Sequence, residues 1–467
     1  MLLNRLPEIE IPEGNPFEND KLDRKTCAIF FINLIKQYYN TGCVIALNGE
    51  WGSGKTTFVK MVQQELKNIG AHPLYFNAWE NDYVSDPLIA ILSELKEVCP
   101  KSDKWDAVIA NGSKIALRMG AAAFIGFIKN NTGISVDAIS AGTKEAVKIL
   151  KNNIDKFKEQ KQTFQEFHKS LRNYIADKSS SDTPVVFFID ELDRCNPQFA
   201  VLVLERIKHL FDIPNIVFVL SINKKQLGYA IQGYYGSANI DANNYLRRFI
   251  DIEYTLPRQN IRNFYLLLYE KYGFEKLFED SKQVKFSGMP IDLIFGVVSN
   301  TLLSSSKIDF RTADKIYAHA RLAMNEFFKH KFFMPDVFFL LSYLRIVYPE
   351  LYQNIINEKY SLQALVDEIE EKLPLKVIKK EHGELMSTIT LTIASLVFTY
   401  IIGEDGLAKE SFINKNDCNA ITLTTKYLCH ETFTNIILNL YEKASQGFVQ
   451  LKQITKRIEL EEDVLLE

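Results

Sequence analysis

The octet "GEWGSGKT", residues 49–56, stands between an apolar run, "CVIALN", and a helix-like stretch, "TTFVKMVQQELKNIG". Its spacing fits G-x-x-x-x-G-K-[ST], and a strand before with a helix after is the context in which that pattern cradles phosphate. Gly49, Gly52 and Gly54 let the backbone curl so that successive N–H groups face phosphate oxygens at the start of a helix. Glu50, Trp51, Ser53 and Thr57 complete the loop and its first helical turn. Lys55 supplies a point charge for the β- and γ-phosphates of a nucleotide, and the Thr56 hydroxyl a ligand for Mg²⁺.

A second stretch, "VVFFIDELDRC" (185–195), offers the acids such a loop needs. Asp190 falls at the C-terminal end of an apolar strand, where α/β sheets bind ligands, and is expected to hold the metal directly or through water. Glu191 is placed to orient or deprotonate an attacking water; the alternative is a surface acid at a strand end. Asp193 reads as a partner for Arg194 or a cap for the next helix rather than as a catalytic group.

Further candidates surround these. "FNAWEND" (76–82) ends a strand with Asn77, Trp79 and Glu80, which line the site or, for Trp79, pack as a buried ring. "SIN" (221–223) sets Ser221 and Asn223 at another strand end, to sense the γ-phosphate or to cap the following helix. "YLRRFIDIEYTLP" (245–257) carries Arg247 and Arg248, either of which reaches a neighbouring subunit's γ-phosphate or belongs to an exposed pair. Arg311, in "DFRTADKIYAHA" (309–320), starts a helix and is a candidate lid residue that reads the phosphates.

The elements that must position these groups follow from periodicity. A helix is expected over 22–40, strands over 43–47, 73–79, 184–190 and 215–222, and a crossover helix over 199–211. Strands alternating with helices give an α/β fold with a parallel three-layer sheet. The residues between the second and third strands, about 100 of them, are too many for one crossover, so a helical insertion is expected over about 100–180. Within it Leu150, Ile154, Phe157, Phe164, Phe167, Leu171 and Tyr174 recur at helical spacing opposite a lysine-rich face. That is a solvated helix packed on the core, or a contact for nucleic acid or a partner. The pattern then turns helical to the end. The expected division is an extension (1–20), a nucleotide-binding core (21–257), a helical lid (258–335) and an all-helical C-terminal domain (336–467).

Composition narrows the partners. The net charge of −3, from 55 basic and 58 acidic residues, lacks the basic footprint of a phosphate-backbone binder, although a local basic face stays open. Six cysteines without a CxxC pair indicate neither a zinc site nor a disulfide framework, so a reducing cytoplasm is expected. The N-terminal stretch reads as an unprocessed start. "MGAAAFIGFI" (119–128) is too short to span a bilayer. "LMSTITLTIASLVFTYIIG" (385–403) is nearly long enough, but its six Ser and Thr residues and the acids beyond both ends favour a buried helix.

Taken together, "LNGEWGSGKTTF", "YFNAWEND", "FFIDELDRCNP", "VLERIKHLFDIPNIVFVLSINKKQL" and "YLRRFIDIEYTLP" resemble, in that order, the KAP family of P-loop NTPases, within the signal-transduction and AAA-like ATPases. The resemblance covers roughly residues 20–320. It implies ATP or another nucleoside triphosphate with Mg²⁺, and the roles given above for Lys55, Thr56, Asp190 and Glu191. Family members often carry transmembrane helices between the loop strand and the acidic strand; this chain has an insertion there without a convincing span and looks like a soluble branch. Members often have an acid where Asn223 stands. A link of bacterial members with phage exclusion and defence is likewise an implication of the resemblance. The expected function is a Mg²⁺-dependent NTPase whose cycle moves the helical region and acts on a protein partner or a second copy of the chain. The alternatives are a nucleotide-gated scaffold with negligible turnover and a motor stimulated by nucleic acid.

Overall fold

The computed structural model describes residues 9–84, 86–96, 103–118, 162–176, 185–257, 262–279, 285–286, 289–306, 308–325, 333–402, 413–414, 417–442 and 450–460. The chain divides into two compact units, residues 8–259 and residues 260–467 together with 1–7.

Five strands build the sheet of the first unit: β1 (Cys43–Asn48), β2 (His72–Asn77), β3 (Val185–Asp190), β4 (Ile216–Ile222) and β5 (Ile252–Thr255). All pair in parallel, in the order β2-β3-β4-β1-β5. β3 and β4 are buried at every position, as strands covered on both faces must be. Alternate side chains feed two separate cores. Phe187, Ile189, Phe218 and Leu220 join the helix Pro197–Leu210 on one face. Val186, Phe188, Val217 and Val219 join α1 (Lys25–Tyr38) and α2 (Lys55–Asn68) on the other, which makes the three layers. The register brings Asn77, Asp190 and Ser221 into one row at the carboxyl ends of the strands. β4 therefore separates the loop strand β1 from the acidic strand β3.

Four expected strands are found with ends shifted by a residue or two, and β5 adds a short edge. Of the helical insertion, residues 162–176 form a helix whose Phe167, Leu171 and Tyr174 are buried on the sheet's core, while Leu150, Ile154 and Phe157 lie outside the described residues. The stretch 119–128 lies outside them as well.

The second unit is largely helical around one core, and it also holds two short antiparallel ribbons, Lys285–Phe286 with Met289–Pro290 and Ile413–Asn414 with Asp417–Ile421. Among the described residues one stretch, Gly383–Ile401, is long and apolar enough to cross a membrane, and 78% of its 18-residue apolar window is buried inside the structure. Its hydroxyls explain how it tolerates burial. Thr390 and Ser395 donate to the carbonyls of Met386 and Leu391, each at 2.8 Å, and Thr392 donates to Asp336 at 2.7 Å.

Candidate functional site

The loop between β1 and α2 closes on itself. Gly52 and Gly54 take φ of 73° and 78°, left-handed conformations that glycine adopts without steric cost. At Gly49 a Cβ would stand 2.9 Å from Ser53 Oγ and 3.2 Å from Lys55 Cγ, so a side chain there would fill the cradle. Lys55 opens α2 and folds back over the loop, its Nζ donating to the carbonyls of Gly49 at 2.7 Å and Glu50 at 3.1 Å. Burial lowers the Lys55 ammonium pKa, against the pull of Asp193 and Asp190. Thr56 and Thr57 follow, half-buried, in the first turn of α2.

Arg24, at the N-cap of α1, holds the same loop from beneath. Its guanidinium is 3% exposed and donates to the carbonyls of Ser53 at 2.5 Å and Gly54 at 2.9 Å. Burial lowers its pKa to about 10. Sequence reasoning passed over Arg24. The available signal was its place at a helix N-terminus, where the macrodipole disfavours a cation and another partner must compensate.

The acidic side of the site is built on the end of β3. Asp190 is 1% exposed, and its carboxylate accepts from the Glu191 N–H at 2.9 Å and the Tyr75 hydroxyl at 3.2 Å. Both donors are neutral, and the phenol is pushed up by burial and by Asp190 itself. A buried carboxylate with only neutral donors is costly and is best completed by a cation. Tyr75 was also missed, yet it lies two residues before Asn77, on the same face of β2.

Glu191 takes a left-handed φ of 61°, which costs a non-glycine residue about 1 kcal/mol and turns the chain sharply off the strand. Its carboxylate meets Arg194 at 2.5 Å and accepts from Asn77 at 3.4 Å. The Arg194 guanidinium in turn lies 5.6 Å from the centre of the Trp79 ring.

Two expectations are corrected here. Asp193 neither pairs with Arg194 nor caps the next helix: the tight turn Leu192–Arg194 sends Arg194 back to Glu191, Asn196 is the cap, and Asp193 accepts from the Trp51 indole N–H. Trp79 is not a buried packing ring but is 50% exposed, because the chain leaves β2 in a turn capped by Asn77 Oδ1. Glu80 beside it is exposed, as is the Trp51 ring.

Ser221 lies in the row between the two halves of the site, fully buried, and its hydroxyl has no partner among the described residues. Asn223 caps the helix Lys224–Tyr235, accepting from the Gln226 N–H at 3.2 Å. Arg247 and Arg248 are exposed just beyond the short helix Ala242–Leu246. Arg311 is exposed in the first turn of the helix Phe310–Ala323, in the second unit. Among the described residues no cluster of three His, Cys, Asp or Glu side chains suits a metal on its own.

Comparison with known proteins matches this arrangement. The model of the KAP family P-loop domain fits residues 24–325. The phage T7 exclusion protein of Escherichia coli (strain K12) is 22% identical over 330 residues, 66% of this chain and 42% of that protein. The chain thus spans less than half the length of that relative. Among solved structures, the Aeropyrum pernix ORC2 protein in its ADPNP–ADP complexes is 11% identical, with 91% of this chain and 95% of that chain covered. Its TM-score is 0.32, too low to carry an argument.

Proposed function

We propose, since the chain belongs to the KAP family of P-loop domains, that it is a Mg²⁺-dependent nucleoside triphosphatase that hydrolyses ATP. The observation that carries the reading is the buried Asp190 with neutral donors only, one strand away from a glycine loop that holds Lys55 over its mouth. Thr56 and Asp190 would hold the metal, which when bound neutralises charge on the phosphate oxygens. The loop N–H groups and Lys55 orient the β- and γ-phosphates, Ser221 offers its hydroxyl to the γ-phosphate, and Glu191 takes the proton of the attacking water. Nucleotide state passes to the helical region and on to a protein partner or a second copy of the chain, with Arg248, Arg311 and Asn223 as candidate readers of the phosphates. Similarity to a phage exclusion protein supports a place in anti-phage defence.

A second reading is a nucleotide-gated switch with negligible turnover. It is favoured by Glu191 being engaged by Arg194 and Asn77 rather than free. Steady-state hydrolysis of ATP and GTP by the purified chain, with and without DNA or RNA, separates the readings. Mg²⁺-dependent release of phosphate supports the first, and tight binding without release supports the switch. Turnover that appears only with nucleic acid would favour a motor instead, against the chain's charge balance.

A further inference from the structure

The second unit contains a cavity of about 720 Å³ that shares no residue with the nucleotide site. Pockets that bind small molecules have this size, with mostly apolar walls and a few convergent polar groups. One wall is the helix Ile291–Ser305, whose Leu293, Gly296, Asn300 and Ser304 recur at three- and four-residue spacing and so share a face. The opposite wall brings Tyr265 and Tyr269 from the helix Arg262–Lys271, and the short turn Gly383–Leu385 closes one end.

Gly296 is the informative residue. It sits in the middle of its helix, where glycine costs about 1 kcal/mol relative to alanine. No packing demand explains it, since a Cβ built there meets nothing within 4 Å. What its missing side chain does is keep that wall of the cavity open beside two tyrosine rings. The Asn300 carboxamide lines the same space and hydrogen-bonds none of the described residues. Two carboxylates, Asp292 and Glu384, stand at the exposed margin, His382 also lines the cavity, and among the described residues the lining contains neither lysine nor arginine.

The geometry points to a binding site for a small organic cation: an apolar ring laid along the helix face at Gly296, with an amino group directed to Asp292 and Glu384. Asn300 offers both a donor and an acceptor for a ring heteroatom. The site makes the helical unit a receptor for a chemical signal, independent of whether the first unit hydrolyses nucleotide.

The test uses the full chain and a panel of probes, tryptamine and phenethylamine against indole-3-acetate and phenylacetate, with binding read by ligand-observed NMR and calorimetry. The amines should bind more tightly than the acids by roughly tenfold, since ion pairs at exposed positions are weak one by one. Gly296→Leu, which fills the gap, should abolish binding, while Gly296→Ala, which the fold tolerates, should weaken it. Asp292→Asn with Glu384→Gln, both at exposed positions, should erase the preference for amines even if Gly296→Leu proves unfolded by circular dichroism. Failure of every amine to bind, equal binding of amines and acids, or affinity unchanged in a folded Gly296→Leu protein would overturn the proposal.

Discussion

At the scale of single residues the site is a set of charges held by main-chain geometry. Arg24 fixes the loop through two carbonyls while its own charge is buried, so Arg24→Ala removes two charge-assisted bonds from the phosphate cradle. Such bonds contribute about 1.5–3 kcal/mol each, and the variant should lose about 2 kcal/mol of stability or more, seen as a lower denaturant midpoint, and bind nucleotide more weakly. An unchanged midpoint with unchanged affinity would mean that the loop does not depend on Arg24. For Lys55 the pKa sign decides the pH dependence. Burial lowers its value from the ordinary 10.5, and the charged form is the one that meets phosphate. Nucleotide affinity is therefore full below the lowered value and falls as pH rises through it, earlier than an unperturbed lysine would allow. Titration calorimetry across the alkaline range, beside Lys55→Ala, checks this, and identical pH profiles for the two would remove Lys55 from phosphate binding.

At the scale of elements, one buried pair ties two helices of the first unit. Arg206, fully buried in the helix Pro197–Leu210, donates to both oxygens of Asp86 at 3.0 and 2.7 Å, just ahead of the helix Pro87–Lys96. Removing one partner strands a buried charge, so Asp86→Ala should cost about 3–5 kcal/mol, whereas Asp86→Ala with Arg206→Met should cost clearly less. Urea unfolding of both variants tests this, and equal losses would mean that the pair carries no coupling. This contact also marks how far a sequence can be read. β3 and β4 were legible because four or more large apolar residues in a row fit only a strand covered on both faces. β5 was legible only as an apolar strand-like run after Arg247 and Arg248, without bounds, since its four residues alternate between exposed and half-buried at a sheet edge. Arg206 was not, because one arginine in "LERIKHLF" looks like a solvated helix face until Asp86, 120 residues away, is brought to it. Within the site, Lys55 and Asp190 followed from spacing. Arg24 and Tyr75 act through bonds that span 29 and 115 residues, which local pattern does not reveal.

At the scale of the molecule, the two units have separate cores, so calorimetry should resolve two unfolding transitions. A ligand stabilises what it binds, by about 2.7 kcal/mol at a hundredfold excess over Kd, so a non-hydrolysable ATP analogue should raise the transition of residues 8–259 more than the other. A single transition, or a shift confined to the helical unit, would contradict that division of labour. The central claim is hydrolysis at Lys55, Asp190 and Glu191. Its most direct test is single-turnover cleavage of ATP by the wild-type chain beside Lys55→Ala and Glu191→Gln, with bound nucleotide measured in each. The account predicts that Lys55→Ala loses binding, while Glu191→Gln still binds but cleaves at least a hundredfold more slowly. Cleavage by Glu191→Gln at the wild-type rate would contradict the assignment of the base, and a wild-type chain that binds ATP with Mg²⁺ and never cleaves it would contradict the account itself.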